Sequence, residues 1–117
     1  MSQNSLALEL ALKSNDFLEC NSSVRKMLFI LSVLYTQNEA SFSKLMSLRR
    51  GSLKVISNSE MEIQRSATDP RPQNIPDTPY WIATKTSTDF KRKTLKDALE
   101  FLGYDSKVMD LVDSFFK

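Results

Sequence analysis

The sequence predicts an α+β domain: a helical first half, a small three-stranded antiparallel sheet in the middle, and two helices at the end. Three observations carry this. Residues 24, 27, 28, 31, 34 and 35 are apolar at helical spacing. Residues 53–84 hold three short stretches with strand character, separated by turn formers. From residue 94 onward the apolar spacing is helical again, punctuated by Gly103 and a cap signal at Asp105 or Ser106.

Taken in order, residues 5–13 (SLALELALK) are strong helix formers with Asn4 or Ser5 as N-cap candidates. Asn15-Asp16 breaks or restarts the helix, and residues 16–20 suit a short helical turn. Ser22-Ser23 precede VRKMLFILSVLY, where Phe29, Ile30 and Val33 widen the apolar stripe, as expected of a central helix buried on most sides. Asn38 suits the N-cap of a further helix over 39–48, apolar at Phe42, Leu45 and Met46. Arg49-Arg50-Gly51 would end it, with Gly51 in a left-handed position. LKVIS (53–57) and MEIQR (61–65) read as two strands turned by Asn58-Ser59. Residues 66–79 carry all four prolines and read as a long loop. Tyr80–Thr84 is the third strand, with Trp81 expected to anchor it in the core. Residues 85–93 form a polar, basic loop. Thr94, with Asp97 three residues on, caps a helix over LKDALEFL. Val108, Leu111, Val112 and Phe115 line the inner face of the last helix.

Composition excludes a good deal. A chain of 117 residues, 41% hydrophobic and 26% charged, is expected to form a single domain over 1–117, with 1–5 disordered. There is no histidine, so the commonest general base and metal ligand are missing, and Ser-His or Cys-His nucleophiles are excluded. A single cysteine, Cys20, allows no internal disulfide and suits a reducing cytoplasm. Its neighbours Phe17, Leu18 and Glu19 do not activate a thiol. Two glycines, Gly51 and Gly103, leave no phosphate-binding glycine loop. No apolar run is long enough to span a bilayer, and the first residues carry no secretory pattern. No cofactor, metal or catalytic residue is expected, and the chain does not read as an enzyme.

Net charge is only +2, but it is unevenly placed. Lys85, Lys91, Arg92, Lys93 and Lys96 stand against one acid, Asp89, and Arg49, Arg50 and Lys54 form a second basic cluster. The loop after the Trp81 strand offers Lys85, Thr86, Ser87, Thr88, Lys91 and Arg92: cations that neutralise phosphate and hydroxyls that donate to it. The stretch Arg49, Arg50, Gly51, Ser52, Leu53, Lys54 is a second candidate DNA-contacting turn. The plainer readings are a solvated loop entering a helix, and a helix C-terminus with basic residues set against its dipole.

The stretch NIPDTPYWIATKTSTDFKRK resembles the C-terminal DNA-binding domain of the SeqA family, negative modulators of replication initiation in bacteria, whose pattern is P-x-T-P-[YF]-W-V-x-T-N-x-N-T-x-R-K. SSVRKMLFILSVLYTQNEASF is similar to the family's central helix, and SNDFLEC to the segment before it. The resemblance covers roughly residues 6–117. It implies a cytoplasmic, nucleoid-associated α+β domain that binds hemimethylated GATC in double-stranded DNA through two major-groove loops. The family's G-R-T-R loop falls on Gly51-Ser52-Leu53-Lys54, and its N-x-N loop, whose asparagines read adenine and methylation, on Lys85-Thr86-Ser87. Lys85 and Ser87 replace both asparagines, and lysine donates where an amide both donates and accepts. Ser52 replaces an arginine, and Lys54 keeps the charge without the planar fork. Phe90 stands at the family's second-loop arginine, and Lys91 at its lysine. The family's N-terminal oligomerisation domain is not represented, which implies weak self-association for this module. Two further readings stay open: a regulator of the same fold with altered sequence or methylation specificity, and a protein-interaction module that has lost DNA binding.

Overall fold

A single helix, α3 (Ser23–Gln37), organises the molecule. The structure is a computed structural model and describes residues 3–116. The Ser22 side chain accepts from the Arg25 backbone N–H at 3.1 Å and starts α3. Met27, Ile30, Leu31 and Leu34 are fully buried, each such side chain contributing about 1.5–3 kcal/mol by leaving water. Two helices contact each other at one end of the core: α1 (Gln3–Ala11), which also packs on α3, and α6 (Ser106–Ser114). Between α1 and α3, the short α2 (Asn15–Leu18) places Phe17 against the rings of Phe29 and Phe115, with centroids 5.3 and 4.9 Å away. Ser5 is not a cap: it lies inside α1, fully buried, and its hydroxyl accepts from the Asp105 N–H at 3.2 Å. The stretch expected to be disordered is helical from Gln3 on; Met1 and Ser2 lie outside the described residues.

After α3 the chain departs from the expected path. Asn38 ends α3 instead of opening a helix, because its amide donates to the Leu34 carbonyl and the Tyr104 hydroxyl, both at 2.9 Å. The next element is a 3-10 helix, η1 (Phe42–Ser47). Its buried residues, Phe42 and Leu45, are three apart, which matches a three-residue turn. Arg49–Arg50 is a strand, β1, not a helix end; it pairs with β2 (Leu53–Lys54) across a two-residue turn. Gly51 has φ +61 and takes the first turn position, where glycine is needed. So Gly51 is left-handed as expected, but in a hairpin.

The main sheet has three antiparallel strands in the order β3 (Ile56–Ser57), β5 (Trp81–Ala83), β4 (Pro72–Asn74). Its composition differs from the expectation in one strand. Residues 61–65 belong to a helix, α4 (Glu60–Ser66), whose cap is Ser59 accepting from the Glu62 N–H. The alternation in MEIQR misleads because only Ile63 faces inward, which satisfies either period. The missing strand, β4, comes from the expected loop, with Pro72 opening an edge strand where no ladder donor is needed.

The last two helices are α5 (Thr88–Phe101) and α6. The first of these begins at the Ser87 cap, not at Thr94, which is buried inside it. Asp105 caps α6 as expected, accepting from the Val108 N–H at 3.1 Å. Val108 and Val112 are buried, while Leu111 and Phe115 pack partly buried on the same core.

Candidate nucleic-acid interface

Strand β5 runs straight into residues 84–87, and this short link is tied down at every step. Thr84 is buried; its N–H donates to the Pro70 and Arg71 carbonyls at 3.1 and 3.2 Å, and its hydroxyl to Arg71 at 2.6 Å. The Lys85 N–H donates to Pro70 at 3.2 Å. The Ser87 hydroxyl accepts from the Phe90 N–H at 3.0 Å and so is committed to capping α5. Lys91, expected on the loop surface, is only 3% exposed. Its ammonium donates to the Thr86 carbonyl, and burial pushes its pKa down. The hydroxyl of Thr86 is buried with no hydrogen-bond partner among the described residues. The loop exposes the Lys85 side chain, 2.8 Å from Asp69, together with Ser87 and Thr88.

The β1–β2 hairpin is clasped to the same helix. Arg50 bonds the Asp97 carboxylate at 2.9 Å and lies over the Phe90 ring, 5.6 Å from its centroid. Phe90 and Asp97 lie two turns apart on one face of α5, so the Arg50 side chain ties the base of the hairpin to that face. Lys54 also turns inward, to the Met46 carbonyl at 3.4 Å and Glu62 at 4.0 Å. Arg49 and Ser52 remain exposed.

Of the ten residues singled out in the sequence, Arg49 and Ser52 are exposed on the hairpin and Lys85 and Thr88 on the loop, with Thr86 and Ser87 shaping the loop. Arg50, Lys54 and Lys91 support them from beneath. Arg92 lies elsewhere: two residues beyond Phe90 is a rotation of roughly 200°. There it holds Asp113 through two 2.9 Å bonds and Asp89 at 3.2 Å, in a mixed-charge groove between α5 and α6. Asp69 and Arg71, passed over in the sequence, adjoin the loop. Both are left-handed, at φ +52 and +48, and the Asp69-Pro70 pair, with Arg71 between two prolines, was the hint of this tight turn.

Trp81 is not the core anchor. Tyr80 takes that place, against the rings of Tyr35 and Phe42, while half-buried Trp81 sits on the other face of the strand, level with Ser57 and Asn74. The Cys20 thiol donates to the Asp16 carbonyl at 3.4 Å. Among the described residues no acid and cysteine side chains cluster as a metal site, and no helix is long and apolar enough to cross a membrane.

The sequence pattern of the family described as the SeqA protein C-terminal domain matches residues 7–114. The chain belongs to the SeqA family. It is 33% identical over 94 residues to a protein of Idiomarina loihiensis named negative modulator of initiation of replication, covering 80% of this chain and 59% of that one. A Haemophilus influenzae protein of the same name is 32% identical over 106 residues, covering 90% of this chain and 54% of its own. The chain therefore spans little more than half the length of these relatives. The crystal structure of Vibrio cholerae SeqA superposes with a TM-score of 0.89 over 97% of this chain and 98% of that one, at 24% identity, which establishes the SeqA fold. The family is one of replication regulators, not of enzymes. The two positions that the sequence resemblance sets against asparagines, Lys85 and Ser87, face different ways. Lys85 points outward into an ion pair, and Ser87 turns its hydroxyl back into the α5 cap.

Proposed function

We propose that this chain is a double-stranded DNA-binding domain that reads the duplex with the hairpin turn at Gly51-Ser52 and the loop 84–88, and serves to restrain replication initiation. The observation that supports it most is the Arg50 clasp, which fixes the hairpin to the helix that the loop opens, while Arg49, Ser52, Lys85 and Thr88 stay exposed. Arg49 and Lys85 supply phosphate neutralisation; Ser52 and Thr88 supply hydroxyl donors. The finer reading is sequestration of hemimethylated GATC sites in the nucleoid.

A second reading, altered sequence or methylation specificity, is favoured by Ser87 serving as a cap and Lys85 lacking an acceptor for an adenine amino group. Fluorescence anisotropy with hemimethylated, unmethylated and scrambled duplexes tests both. Binding is expected at micromolar protein and low salt, with a log–log salt slope that Arg49→Ala plus Lys85→Ala flattens by about 1–2. Absence of binding to every duplex refutes the DNA reading and favours a protein-interaction module. Equal binding to all three refutes the GATC reading and leaves the altered-specificity one.

A further inference from the structure

We propose that Asp69 is a specificity-setting residue of the DNA face, a carboxylate held between Lys85 and Arg71 that keeps both cations from gripping phosphate indiscriminately. The inference rests on the DNA-binding reading above. It starts from a charge triad. The Asp69 carboxylate lies 2.8 Å from the Lys85 ammonium and 3.4 Å from the Arg71 guanidinium. All three side chains are about half exposed or more, at 47%, 55% and 67%. An acid is thus set among the cations of a surface that would otherwise meet a polyanion.

The placement is built into the backbone. Asp69 and Arg71 hold left-handed conformations that non-glycine residues seldom adopt. The Pro70 and Arg71 carbonyls between and beside them accept four hydrogen bonds from Thr84 and Lys85. The turn and the loop are therefore joined through the main chain, which keeps the backbones of Asp69 and Lys85 adjacent. The pairing also holds the Asp69 carboxyl below its ordinary range, with the Lys85 hydrogen bond as the leading cause, so it stays charged at neutral pH.

The physical consequence is a lowered non-specific affinity. Sequence-independent binding comes from cations that release counterions on neutralising phosphate. Lys85 and Arg71 share the one Asp69 charge and begin partly neutralised, and that charge repels phosphate when they leave it. Contacts to base edges do not carry this penalty in the same measure, so their share of the total binding grows.

The test is Asp69→Asn, because asparagine accepts the left-handed backbone and the position is exposed, so the fold survives; a thermal melt checks this. Anisotropy titrations of wild type and variant use a GATC duplex and a scrambled duplex across salt. Removing the one carboxylate charge that the two cations share steepens the salt slope by about 0.9, so the variant's advantage shrinks roughly 3.5-fold between about 50 and 200 mM salt. The gain is expected on both duplexes and larger, relative to wild type, on the scrambled one. Adding Arg71→Met and Lys85→Met to Asp69→Asn is expected to remove it. Wild-type binding with an unchanged slope in Asp69→Asn overturns this proposal and leaves the DNA reading standing. Failure of both proteins to bind any duplex overturns both.

Discussion

Replacing Lys91 by methionine is expected to make the domain more stable while loosening the loop it serves. Lys91 is 3% exposed, and among the described residues its ammonium's one polar contact is the bond to the Thr86 carbonyl. Removing an ammonium from water costs several kcal/mol, even after relaxation. One hydrogen bond to a charged donor returns about 1.5–3 kcal/mol. Burial therefore outweighs the bond, in keeping with the lowered pKa. Methionine keeps the unbranched stem in the same space, and Thr86 is only half-buried, so water can satisfy its carbonyl. The expected gain at neutral pH is about 1–2 kcal/mol, measured by urea unfolding. The pH dependence gives an independent check. Because the folded pKa lies below the ordinary 10.5, the unfolded chain binds the additional proton between those two values. Wild-type stability, measured as the difference from Lys91→Met, should then rise with pH through that window. Amide exchange at residues 85–87 should quicken in the variant, and duplex affinity should fall. A variant destabilised by more than about 1 kcal/mol, with no alkaline rise in the difference, would refute the reasoning and mean that the Thr86 bond outweighs burial.

Two further outcomes test the frame around the site. Gly51→Ala is expected to cost about 1–2 kcal/mol through conformation alone, since φ is +61 and nothing lies within 4 Å of an added Cβ; an unchanged urea midpoint would contradict it. Tyr104→Phe removes the partner of one Asn38 amide N–H, which donates to the phenol oxygen at 2.9 Å, and of the Gln37 carbonyl, which accepts from it, at a cost of about 1–3 kcal/mol in urea unfolding. Burial raises the Tyr104 pKa above its ordinary 10.0. The folded state therefore keeps a proton that the unfolded chain releases, so wild-type stability should fall above pH 10.0 while the phenylalanine variant lacks that contribution.

What the sequence made legible follows from where apolar side chains mark a period. The spacing from Val24 to Tyr35 and the cap at Asp105 placed α3 and α6, because burial and capping there use the residue types expected for them. The start of α5 was hidden for the opposite reason. Its buried face begins at Lys91 and Thr94 before Leu95, Ala98 and Leu99, so two polar residues stand where an apolar stripe should announce itself. Ser87, with Asp89 in the first turn, was the available sign. In the same way Ser59 and Glu62 form the S-x-x-E signature of a helix start, which outweighs the alternation in MEIQR. The strand β4 had no such sign, since proline and two polar residues pair there only because β5 offers a free edge. At the candidate site, charge was legible but direction was not: whether Lys54, Lys91 or Arg92 faces solvent depends on partners distant in the chain, such as Met46 and Asp113.

The loop 84–87 is held largely by main-chain carbonyls, those of Pro70, Arg71 and Thr86, and the hairpin turn is held by Arg50, one residue before its tip. The exposed side chains of Ser52 and Lys85 contribute little to either support, so exchanging them should leave stability within about 0.5 kcal/mol. A lineage can therefore try new residues at the tips without first acquiring compensating changes in the core. Scaffold and exposed tips are thereby separable in evolutionary time.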